Sequence, residues 1–113
     1  MLDKALEHAR KHPGGRYRFA AIVCDKAGNV LAMAHNSYIK THPMQYRAAA
    51  KVGQPQRPFL HAEIAALVKS RGEGYSLSVA RITNDGEPAL AEPCAICRLA
   101  MKEAGIKRIE WTR

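Results

Sequence analysis

The chain has no long apolar run. Its N-terminus, MLDKALEHARKH, alternates charged and apolar residues. It never reaches the roughly 7–15 apolar residues of a signal peptide, nor the ~20 of a membrane span. A cytoplasmic location is the expectation. Cysteine is also scarce: three residues, an odd number in a chain without an export signal. That excludes a disulfide framework and leaves reduced thiols for metal binding or catalysis. No internal repeat or low-complexity tail is visible. Acid is missing from one long stretch, Lys26 to Ala62, where Lys26, Lys40, Arg47, Lys51 and Arg57 stand unopposed. The net charge of +8 and pI near 9.8 point to polyanions or phosphorylated small molecules, although a solvated basic surface carries the same charge.

What is present is ordinary globular composition, 47% apolar and 25% charged over 113 residues, enough for one domain, residues 1–113, around one core. Leu2, Ala5, Leu6 and Ala9 repeat at helical spacing, and His12-Pro13-Gly14-Gly15 ends a first helix over about residues 2–12. The apolar run Arg18 to Cys24 reads as a central strand. The turn Asp25 to Asn29 folds it into an antiparallel hairpin with a second strand, Val30 to Ala34.

From His35 to Pro58 three prolines leave a long loop with a short helical turn around Gln45 to Lys51, and a loop of that length is usually functional. A second helix opens at His61 and ends at Gly72, followed by a strand from Tyr75 to Ile82. A third helix runs from Cys94, behind Pro93, to Ala104, and a fourth strand fills 106–112. The order gives an α/β fold: a mixed sheet of about four strands flanked by helices in three layers. With strands one, three and four parallel, both later helices would open at one sheet edge, where ligands collect.

The chemistry sits at those two helix starts. His61, Cys94 and Cys97 are the ligand types of a catalytic zinc, three protein donors with a fourth position left for water. The start of the third helix favours the thiolates such a site needs. Glu63, two residues after His61, reaches beside the metal without binding it, which suits a general acid and base. Two other readings use the same residues. A redox role fits the Cys94–Cys97 spacing alone, and a structural zinc clip would need His35, His42 or Cys24 as a fourth ligand. Cys24 reads as core, and Trp111 as core or interface. His8 and His12 read as surface residues, and Tyr38, Tyr46 or Phe59 could stack on a base.

His61-Ala62-Glu63 together with Pro93-Cys94-Ala95-Ile96-Cys97 resembles the two-part signature of the zinc-dependent cytidine and deoxycytidylate deaminase superfamily. The wording HAEIAAL and EPCAIC is also similar to transfer-RNA adenosine deaminases. The resemblance implies a cytidine-deaminase-like fold, zinc as cofactor on His61, Cys94 and Cys97, and Glu63 as proton shuttle. It further implies an Ala62 amide that donates to the base carbonyl and an Asn36 that contacts the sugar.

The activity implied is hydrolytic deamination of a cytosine-type base in a nucleoside or nucleotide, with water activated at the metal attacking the ring carbon. The alternative is a polynucleotide deaminase acting on cytosine in single-stranded DNA or adenine in transfer RNA. The chain ends after its fourth strand, short of the fifth strand and C-terminal helices of many relatives. Either an open pocket or a neighbouring subunit in a homo-oligomer is then expected.

Overall fold

A computed structural model describes residues 1–55 and 59–113, so Arg57 of the basic set lies outside the described residues. The elements run α1 (Leu2–Arg10), β1 (Arg18–Cys24), β2 (Val30–His35), α2 (Pro43–Lys51), α3 (Ala62–Ser70), β3 (Ser76–Ile82), β4 (Pro88–Ala89), α4 (Ala95–Glu103) and β5 (Arg108–Trp111).

β1 holds the centre of the sheet because its side chains are needed on both faces. Ala20, Ile22 and Cys24 point to one side, where Ala5 and Ala9 of α1 cover them. Ala21 and Val23 point to the other and join the larger core with Ile64, Leu67, Ile96, Cys97 and Met101 of α3 and α4. Period-two alternation in an apolar run thus serves two helical layers. The three-layer α/β expectation stands, with α1 alone on one face.

β1 lies between β2 and β3, and both pairings are antiparallel. On its far edge β3 carries β4 antiparallel and then β5 parallel. This corrects the expected parallel set: the strands that run together are β2, β3 and β5, with β1 opposed. The tight hairpin opposes β2 to β1, and the chain then returns through α2 and α3 to lay β3 on the other edge of β1, running with β2 and against β1. Both later helices still open at one sheet edge, because α3 follows β2 and α4 follows β3, through β4.

Two elements exceed the expectation. The helical turn is a full helix, α2: Pro43 occupies its first turn and His42 caps it, Nδ1 accepting from the Met44 amide at 3.0 Å. Its buried face is Gln45, Ala48 and Ala49, too small and polar to register as an apolar period. β4 is a two-residue rung at Arg81 and Ile82, made when the chain turns back at Thr83 to Glu87. In the other direction, α1 stops at Arg10. No helix among the described residues is long and apolar enough to cross a membrane.

Candidate metal centre and cavity

His61 and Cys94 are the residues immediately before the first turns of α3 and α4, each with extended backbone. Their side chains therefore project over the helix starts. Cys97, one turn into α4, is fully buried and points back to the same spot. His61 Nδ1 lies 3.2 Å from Cys97 Sγ and 3.6 Å from Cys94 Sγ, and all three donor atoms fall within 4.8 Å of one another.

Two soft sulfurs and an imidazole nitrogen at this spacing fit a zinc ion with three protein ligands. None of the suggested fourth ligands joins them among the described residues. His35 is held by the His8 carbonyl at 2.7 Å, His42 caps α2, and Cys24 packs on the α1 face. The closed structural clip thus lacks its fourth side chain.

The two thiols act on each other in opposite directions. The S–H donated by Cys97 holds the Cys94 thiol at about 3, with the bond from His61 adding to the effect against partial burial. The same contact, with nearly complete burial and the Glu63 charge, pushes Cys97 up. A bound divalent ion favours the thiolate form of both. Glu63 is almost wholly buried, and burial raises its carboxyl above the usual range against the pull of its own amide and of His61. Its side chain lies against the Cys97 thiol.

His61, Glu63 and Cys94 line a cavity of about 430 Å³, together with Tyr17, Phe19, Asn36, Tyr38, Phe59 and Glu92 among others, while Cys97 lies buried behind them. Ala62 is fully buried in the same wall, at the first turn of α3, where helix amides have no partner within the helix. Asn36 is there too, but both ends of its amide brace β1: Oδ1 accepts from the Phe19 amide at 2.9 Å and Nδ2 donates to the Tyr17 carbonyl at 3.0 Å. One N–H and one lone pair remain for another partner. Of the stacking candidates, Tyr38 and Phe59 line the cavity, half exposed, while Tyr46 does not.

Three supports escaped the sequence reading. Gln45 of α2, fully buried, accepts the His61 amide at 3.2 Å. His12, expected at the surface, is buried, and its ring lies between the Gly14 amide and the Asn36 carbonyl, 3.2 Å from the latter. Tyr38 Oη bridges both backbone groups of Tyr17. Residues one loop or one layer away leave no local signal. Glu92 had one, since it directly precedes the Pro93-Cys94 pair.

Of the basic stretch, Lys26, Lys40, Arg47 and Lys51 all lie off the cavity wall, and Lys51 pairs with Glu103 at 2.9 Å.

Among curated proteins nothing matches the chain. A solved structure with a similar fold is the dCMP deaminase from the cyanophage S-TIM5, in complex with dCMP and dUMP. The two share 22% sequence identity and a TM-score of 0.62 over 97% of this chain and 76% of that one. The cytidine and deoxycytidylate deaminase zinc-binding region matches residues 1–112, both helix starts included. The convergence of one imidazole and two thiols at those starts is what a zinc-binding region requires, and the chain belongs to this deaminase family.

Proposed function

We propose that the chain is a zinc-dependent hydrolytic deaminase of a cytosine-type base carried in a nucleoside or nucleotide. The observation that carries the reading is the buried Glu63 carboxyl on the floor of a base-sized cavity, beside a three-donor metal group. His61, Cys94 and Cys97 hold the metal, which when bound acidifies coordinated water to a pKa of about 7.

Glu63 takes a proton from the attacking water and delivers it to the ring nitrogen. It then moves the second proton to the amino group, which leaves as ammonia while the ring carbon keeps the oxygen. Phe59 and Tyr38 close on the base faces, and the Ala62 amide donates to the base carbonyl. Asn36 offers its remaining N–H to the sugar while it holds β1 in register.

The half-exposed Phe59 and Tyr38 at the cavity mouth favour one second reading, deamination of an unpaired base in a polynucleotide, since such bases stack on aromatic platforms. The test is zinc-loaded protein incubated separately with cytidine, deoxycytidine, their monophosphates, single-stranded DNA and transfer RNA, with deaminated product followed for each. Conversion of a cytosine nucleoside or nucleotide is expected. Conversion of polymers alone would replace the first reading with the second.

A further inference from the structure

A deaminase site reads the base, and this molecule has a second cavity beside it. Tyr17, in the wall of the base cavity, is also a wall of a neighbouring cavity of about 320 Å³, lined with it by Arg16, Arg81, Ile82, Thr83 and Asn84. Two guanidinium groups flank the shared ring, Arg16 Cζ and Arg81 Cζ each 5.4 Å from its centroid. Arg81 also lies 5.6 Å from the ring of Phe19, a wall of the base cavity.

Neither arginine has an ion-pair partner among the described residues, where the pairs are Lys51–Glu103 and Arg98–Glu92. Arg81 Nε is buried with no hydrogen-bond partner. Its backbone is pinned opposite Phe19 in the β1–β3 ladder and donates to Thr112 Oγ1 at 3.0 Å. Two like charges gathered at one cavity repel, and a buried charged donor left unmatched is costly. An anion between them removes both penalties, and a guanidinium fork matches phosphate oxygens.

We infer that this second cavity is a phosphate subsite: with the base over Glu63, the phosphate of the same substrate passes Tyr17 and rests between Arg16 and Arg81. The inference rests on the deaminase reading for the base, and it moves the phosphate-binding role from the Lys26 to Arg57 stretch to two arginines on β3 and ahead of β1. The phosphate is either that of a mononucleotide or the phosphodiester beside an unpaired base.

The test uses the zinc-loaded full chain with deoxycytidine, deoxycytidine 5′-monophosphate and a short single-stranded oligodeoxynucleotide, and the variants Arg16→Gln, Arg81→Gln and Arg81→Lys. The ratio of kcat/KM for the phosphorylated substrate to that for deoxycytidine should fall about tenfold or more in each glutamine variant, the loss of one charged hydrogen bond, and less in Arg81→Lys. A fall seen with the monophosphate assigns the mononucleotide source, and one confined to the oligonucleotide assigns the phosphodiester.

Independently of turnover, titration of the wild-type protein with inorganic phosphate should shift the Arg81 Nε–Hε NMR signal. An unchanged ratio, or equal losses for both substrates, would overturn the inference, as would an Arg81 signal indifferent to phosphate. Should no base be deaminated, the reaction reading fails while the phosphate titration still decides the subsite.

Discussion

The two faces of the sheet are built from the same strand and do different work. On the α1 side, Ala20, Ile22 and Cys24 of β1 meet Ala5 and Ala9 with Ala80 and Ile82, a shallow pack of mostly small residues with no metal-binding group among the described residues. On the other side, Ala21 and Val23 lie under α3 and α4, whose starts carry His61, Glu63 and Cys94. One residue's displacement along β1 moves a side chain from scaffold to the layer that bears the chemistry, so substitutions should separate stability from activity according to face.

The sharpest break is expected at Glu63. Glu63→Gln keeps the shape but cannot carry a proton, so turnover should fall by about 10²–10⁴-fold while zinc stays bound at one ion per chain by metal analysis. Retained turnover would remove Glu63 from the mechanism. Cys97→Ala should act one step earlier, because a site with two protein donors loses metal. Zinc content after dialysis should drop towards zero, with activity lost alongside.

The opposite face should show the converse. Ile22 is fully buried on the α1 side, and Ile22→Ala should cost about 2–5 kcal/mol of unfolding free energy, read by urea denaturation, while the zinc stoichiometry of the folded fraction stays at one. Loss of metal from the folded fraction would show that the faces are not separable.

The join between them is the rim at Asn36, where the α1-side residue His12 reaches a backbone carbonyl of the cavity wall. Gly15 sits in this join at φ +109°, and an added Cβ would lie 2.5 Å from Cε2 of Tyr38. Gly15→Ala therefore forces the Tyr38 ring out of the wall as well as straining the backbone, by about 1–3 kcal/mol in all. A lower melting temperature together with a raised KM is expected; a change in stability alone would place Tyr38 outside substrate binding.

The sequence was most legible where chemistry is local. His61-Ala62-Glu63 and Pro93 to Cys97 each open a helix, so spacing alone brought the donors to two helix starts, and the apolar run 18–24 announced a strand covered on both sides. Strand direction was less legible: the hairpin at Asp25 to Asn29 opposes β1 to β2 only, and the antiparallel pairing of β1 with β3 forms after the chain has passed through β2, α2 and α3, so no local signal fixes it. α2 hid because its buried face is alanine and glutamine, and its support of His61 through Gln45 spans 16 residues. Charge misled. The acid-free stretch drew attention to lysines that do not line the cavity, whereas Arg16 and Arg81 are far apart in sequence and meet only through the antiparallel β1–β3 ladder.

The smallest effect belongs to the histidine stack on the α1 side. His8 lies flat on His35, ring centroids 4.1 Å apart and planes 14° from parallel. Burial, then the charges of His35, Lys11 and Lys69, holds its imidazole below the usual value of 6.5. The unfolded chain therefore binds the proton more readily than the folded one, and the stability this neutral ring contributes is complete above pH 6.5 and declines as pH falls through that value. Wild-type melting temperature should sag between pH 7 and 5, and His8→Gln, which cannot titrate, should flatten part of that slope. Because His35 is tied to the His8 carbonyl and not to the metal group, zinc content should stay level across pH 7 to 6.5, where the sag begins. A loss of zinc in step with the melting temperature there would mean that the stack reaches the other face, and the division of labour across β1 would fail.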